Sequence, residues 1–232
     1  MIYDTYIKMF KALVPKNITE FAKKGKGTVK DGIVVYALAW FITLILGIIG
    51  FFLTLGTNMA DAKTLGALLG VDLAGVFGIV LLVVVSIFGL FWGIALNYIS
   101  QFAGAFSATR FFKGKGKFEN QFYLVMLFSG AILIIGSVFG LIEAVVPALG
   151  IITGAIMLVI SIWSLYLLYY TLREIHKIDL VGALISTIVV VGVSVILAFF
   201  IALVLTLIGV AVLGAGALGG MAASGGLGNL GA

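Results

Sequence analysis

From Ala144 to Leu172 the chain carries no charged residue, a run longer than the roughly 20 apolar residues that cross a bilayer as a helix. Tyr166, Tyr169 and Tyr170 stand near its end, where aromatic rings suit the headgroup level. Arg173, Glu174, His176, Lys177 and Asp179 follow at once and include the only histidine of the protein. One segment therefore shows a span, an interface and a polar turn, and the rest of the chain is read from it.

Four more such runs occur. The first is Gly32–Ala60, followed by a polar turn from Asn58 to Lys63. Residues 65–72 read either as an interfacial helix or as the start of the next span. Leu73–Thr109 has 37 residues without a charge, about 55 Å as helix, so one end must leave a hydrocarbon core of about 30 Å. Asn97, Ser100, Gln101, Ser107 and Thr109 place that exit at its C-terminal end. Asn120–Ile142 is the third span, with a tight turn through Glu143 and Pro147, and the opening stretch is the fourth. The fifth starts at Leu180; apolar bulk fades near Leu213 into a glycine-rich stretch that reads as a flexible tail. A sixth span inside this final uncharged stretch is the alternative.

With 63% hydrophobic and 10% charged residues, against about 25% charged in soluble domains, the chain reads as an all-α polytopic membrane protein. It divides into a basic amphipathic cytosolic arm (1–31), a five-span transmembrane domain (32–213) and the tail (214–232). No cysteine is present, which excludes disulfides, thiolate metal sites and a cysteine nucleophile. The polar, lysine-rich first 31 residues lack the apolar core of a cleavable signal peptide.

The arm opens with an amphipathic helix over residues 2–13, with Ile2, Tyr6, Met9, Phe10 and Leu13 on one face. Pro15 ends or bends it, and Asn17 with Glu20 reads as an N-cap pair opening a second short helix that stops at Gly25. Two readings of this arm stand open: its apolar face lies in the headgroup region, or it folds against the protein itself.

Positive charge is concentrated. Lys8, Lys11, Lys16, Lys23, Lys24, Lys26 and Lys30 precede the first span, and Arg110, Lys113, Lys115 and Lys117 precede the third. Five spans with the N-terminus in the cytoplasm and the C-terminus outside put thirteen of the fourteen Lys and Arg on the cytoplasmic side, as basic loops demand. These eleven residues form the candidate binding surface, for an anionic lipid leaflet, where each charge is worth about 1 kcal/mol, or for a peripheral protein partner or a second copy. Nucleic acid is a poor fit, since no soluble basic domain is present.

Catalytic and metal-binding readings are weak. Glu174, His176 and Asp179 could offer three ligands, but no second cluster completes a closed site, so a solvated, internally paired turn is expected. Asp72 reads as a marker of the outer interface rather than an intramembrane carboxylate, and substituting it or His176 is expected to leave fold and role intact. The alternating Gly and Lys of 113–117 lack the phosphate-loop pattern. Five G-x-x-x-G pairs occur, against about four expected by chance from the glycine content, so they are read as composition. No catalytic group and no cofactor is indicated.

The order of a basic arm, five spans, a Gly/Lys loop after the second and a polar turn after the fourth resembles the Yip family of membrane proteins. The run from Trp163 through TLREIHKIDLVGALIS to Ser186, and RFFKGKGKF at 110–118, are the local matches. The acidic Tyr-Gly-Pro motif of eukaryotic members is missing before the first span, so the chain is similar to short prokaryotic-type members. The resemblance implies the architecture and leaves the biochemistry open; the lack of catalytic groups points to a non-enzymatic protein, expected in the cell membrane. In eukaryotes the family is associated with Rab GTPases, secretory trafficking and membrane shaping. A small transporter or permease subunit is the alternative.

Overall fold

The computed structural model describes residues 2–25, 27–57 and 76–224. Among them no strand occurs, and the helices run in the order α1 (Ile2–Lys11), α2 (Pro15–Lys24), α3 (Val29–Thr57), α4 (Val76–Arg110), α5 (Phe118–Val145), α6 (Gly150–His176) and α7 (Leu180–Ser224). A 3-10 turn, Pro147–Leu149, joins α5 to α6. Five of these helices are long and apolar enough to cross a membrane. The all-α, five-span architecture read from the sequence is the architecture found. Asp72 and residues 65–72 lie outside the described residues.

Three boundaries differ from the sequence reading. Pro15 opens α2 at its first turn, where its missing N–H costs nothing. Asn17 is thus inside α2 rather than capping it, and its Nδ2 donates to Lys11 O at 2.9 Å, closing the end of α1. A reciprocal cap sits instead on α3. Asp31 N donates to Thr28 Oγ1 at 3.1 Å, and Thr28 N donates to Asp31 Oδ2 at 3.2 Å, so each side chain satisfies the other's backbone donor. At the other end, α7 runs to Ser224, about 68 Å at 1.5 Å per residue. The stretch 214–224 therefore continues the helix instead of starting a loose tail, because no proline removes a backbone donor there. Within the described residues that unbroken helix leaves no room for a sixth, separate span.

The spans close into a ring in the order α3, α5, α6, α7, α4, with the most extensive pairings between α3 and α5 and between α4 and α7. One of the five G-x-x-x-G pairs is used as a contact. A Cβ at Gly89 would lie 2.9 Å from the Trp40 ring, and one at Gly93 would lie 2.9 Å from Tyr36 Oη. Two aromatic side chains four residues apart on α3 thus rest on two bare patches four apart on α4. Gly150 and Gly154 meet nothing within 4 Å, and of Gly136 and Gly140 only Gly136 approaches a neighbour, the end of Met157, so among the described residues the same spacing elsewhere builds no such paired contact.

Packing is uneven along the bundle. The main core joins Met9, Ile18, Ala39, Leu127, Leu167 and Val190 with their neighbours, all in the half that holds the arm and the 111–117 loop. In the other half the α6 side chains Ile151, Leu158 and Val159 and the α7 side chains Ile196 and Phe199 are exposed, as expected of surfaces solvated by lipid chains.

Candidate functional site

Both short helices of the arm lie on the bundle through their apolar faces. Met9, Ala12 and Ile18 are fully buried, and α1 packs on α5 while α2 packs on α6. Three polar contacts pin them: Tyr6 Oη donates to Leu38 O at 3.5 Å, Trp163 Nε1 donates to Leu13 O at 3.0 Å, and the hydroxyls of Thr19 and Tyr170 meet at 3.0 Å. Of the two readings of the arm, the structure shows it folded on its own protein. Met9 and Ala12 are spent in that contact, while Tyr3, Phe10 and Val14 stay exposed beside the lysines, so lipid would meet a side that carries both charge and apolar surface.

The structure splits the candidate basic residues into two levels. Gly25, next to Lys23 and Lys24, approaches the Asn120 side chain, and Gly32, two residues after Lys30, lies against Phe122. Lys117 precedes the first turn of α5. Lys23, Lys24, Lys30 and Lys117 therefore gather around the starts of α3 and α5. Arg110, Lys113 and Lys115 stand on the adjoining loop, and all seven side chains are exposed. Lys8 only borders this group, sharing a cleft with Lys24 and Asp31, and Lys11 does not join it. Met9 contacts Gly130, ten residues past Asn120, which puts α1 about 15 Å further along the bundle. Lys16 is exposed at the level between Trp163 and Tyr170, and Lys26 lies outside the described residues.

Under the basic loop is a buried polar node that the sequence did not reveal. The loop folds onto the last turn of α6: Lys115 N donates to His176 O at 3.0 Å and Gly114 N to Ala108 O at 2.9 Å. A Cβ at Gly116 would run into the backbone of Ile175, so only glycine lets the chains approach this closely. Lys113 and Lys177 take left-handed backbone (φ 56° and 54°) to turn the chain on either side of this contact.

His176, expected in a solvated turn, is fully buried; that reading is corrected. The loop and α5 close over it, and its Nε2 lies 2.7 Å from Gln121 Oε1. Its sequence neighbours go elsewhere. Glu174 pairs with Lys177 at 3.7 Å, and Asp179 Oδ1 accepts the N–H of Gly182 at 2.8 Å to cap α7. Among the described residues no group of three His, Cys, Asp or Glu could hold a metal ion. The expected tolerance of a His176 substitution falls with its exposure.

The hydrogen directions in the node follow from one fixed acceptor. A backbone carbonyl only accepts, so the Gln121 atom 3.0 Å from Gln101 O is the NH2. The same NH2 donates to Gln101 Oε1 at 2.8 Å, and Gln121 Oε1 is left to accept from His176 Nε2–H. Gln101 (3% exposed) and Gln121 (0%) are thus oriented by a histidine 55 residues beyond Gln121. The available signal was two glutamines in otherwise apolar spans, each too costly to bury alone.

These elements, from the arm-covered α3 to the α7 seam, are where a family relationship can be placed. The family model described as Yip1 domain matches residues 34–203. The chain belongs to the Yip1 domain family. The Yip1 match takes in all three node residues, Gln101, Gln121 and His176, together with the 110–118 loop. It leaves out α1, α2 and the seven lysines up to Lys30. No curated protein and no solved structure matches this chain.

Proposed function

We propose that this Yip1 domain protein is a non-enzymatic integral membrane protein that engages anionic lipid headgroups through its basic face, as part of organising the membrane it sits in. The supporting observation is the ring of exposed cations, Lys23, Lys24, Lys30, Arg110, Lys113, Lys115 and Lys117, around one end of the bundle. Near an anionic leaflet such charges attract within a Debye length, about 8 Å at physiological salt. The cation-rich end faces the cytoplasm and the end of α7 faces outside, which the distribution of Lys and Arg supports. With Met9, Ala12 and Ile18 used internally, binding is mainly electrostatic and salt-sensitive, and the whole protein rather than the isolated arm is the binding unit.

The test is lipid selectivity. Protein reconstituted in nanodiscs of mixed phosphatidylglycerol and phosphatidylcholine should enrich the anionic lipid in its retained shell. Replacing Lys23, Lys24, Lys30, Lys113, Lys115 and Lys117 by Gln should remove most of that enrichment, as should high salt. Equal lipid shells for wild type and variant would reject the lipid reading and turn attention to a peripheral protein partner. A reporter fused after residue 214 that is active only in the cytoplasm would overturn the orientation.

A further inference from the structure

Between the spans lies a cleft of about 630 Å³, largely open to its surroundings and bordered by Tyr36 of α3, Asn97 and Gln101 of α4, Phe128 and Gly136 of α5, Met157 and Leu168 of α6 and Val190 of α7. No charged residue borders it. At roughly 30 Å³ per water-sized group it has room for about 20 methylene-sized groups. Its shape is long: its lining on α5 runs from Val125 to Ser137, about 18 Å as helix. That suits one extended hydrocarbon chain better than a compact polar solute.

The polar atoms are sorted between its ends. The hydroxyls of Ser137, Ser164 and Ser194 already donate to carbonyls of their own helices. At the other end, two side chains more than nine-tenths buried keep unused donors. Among the described residues, Tyr36 (7% exposed) makes no hydrogen bond through its hydroxyl, and Gln101 (3% exposed) has its Oε1 occupied by Gln121 while its NH2 has no partner. Asn97 spends its NH2 on Gly93 O at 2.9 Å, which leaves its carbonyl as an acceptor. Gly93, Asn97 and Gln101 follow at four-residue steps, so the two amides share one face of α4, and Tyr36 Oη lies against Gly93. The cavity end thus offers two donors and one acceptor without charge.

There is also a route from the bilayer. An apolar groove of about 760 Å³ lies on the outside between α6 and α7, along Tyr166, Tyr169, Leu184 and Ile188. Leu165 and Val191 border both the groove and the inner cleft. Only these side chains separate the groove from the inner cleft, so a lipid chain that displaced them would enter without crossing water.

We infer that the bundle holds a neutral single-chain lipid, its hydroxyl- or ester-bearing head on Tyr36, Asn97 and Gln101 and its hydrocarbon chain running toward Gly136 and Met157. The inward NH2 of Gln101 is held in place by the His176–Gln121 relay, which gives the buried histidine a positioning role. An anionic head is disfavoured, because no cation borders the cavity to offset its desolvation.

The test uses full-length protein in phosphatidylcholine nanodiscs with a diazirine-tagged monoacylglycerol and, for comparison, a fatty acid bearing the same tagged chain. Labelling of Phe128, Met157 and Val190 by the monoacylglycerol, competed by untagged monoacylglycerol and several-fold weaker with the fatty acid anion, is the expected result. Tyr36→Phe should lower cavity labelling roughly five-fold, the loss of one hydrogen bond. Gly136→Leu, whose Cβ would meet only the flexible end of Met157, should block it while leaving labelling of the lipid-facing Ile152 and Phe199 unchanged. Labels confined to outer positions, equal labelling by acid and monoacylglycerol, or cavity labelling indifferent to Gly136→Leu would each overturn the inference.

Discussion

The half of the bundle next to the arm and the half away from it are built from equally apolar sequence, and they are held together differently. Next to the arm, side chains interlock. Phe122, Met126 and Leu127 are buried among helices, Ser107 bonds Ser186 across the α4–α7 seam at 3.3 Å, and a Cβ at Gly104 would collide with Val190. Away from it, α6 and α7 present Ile151, Ile196 and Phe199 outward. The difference follows from the solvent. Lipid chains are as good a medium for an aliphatic side chain as protein is, so apolar bulk alone does not pull spans together. Small residues and hydrogen bonds do, and they are concentrated where the arm sits.

The sharpest way to break this contrast is His176→Ala. It removes a buried ring and strands Gln121 Oε1, and the loss should be about 3 kcal/mol. Thermal unfolding in detergent micelles would show a clearly lower midpoint. An unchanged midpoint would mean that the node does not hold this half together. Trp163→Phe is the intermediate case. It deletes the hydrogen bond to Leu13 O while keeping an aromatic ring, for about 1 kcal/mol. The expected sign is faster amide exchange in residues 2–24 than in α5, since the arm should loosen before the spans do. Ile151→Ala should do least. That side chain is 87% exposed and meets lipid whether or not the bundle is assembled, so the change should stay within about 0.5 kcal/mol. A larger effect would show that the distal half packs against something, such as a second copy.

Much of the fold was legible because the periodicity of charge is coarse and strong. The arm was readable as amphipathic from Tyr6, Met9, Phe10 and Leu13, yet the same pattern serves a headgroup layer and a protein surface equally well. Asn17 looked like a cap because Asn and a Glu three residues later often cap, but Pro15 had already started the helix. His176 was misjudged because Glu174, Lys177 and Asp179 make its local sequence read as wet. Burial is set by what folds over a residue, and here that is a loop some sixty positions earlier.

By itself the sequence determined that the chain crosses the membrane as helices and roughly where the five spans lie. In hydrocarbon every backbone N–H and C=O must find a partner within its own segment, so a long uncharged run is a helix whatever surrounds it. It also determined that charge gathers on particular loops. Only the tertiary structure decided which faces touch protein and which touch lipid, since hydrophobicity is the same for both. It alone selected Gly89 and Gly93 as a contact from several equally spaced pairs, and it alone brought Gln101, Gln121 and His176 together. Those choices depend on close approach and hydrogen-bond direction between distant segments, and neither is written in the order of residues along the chain.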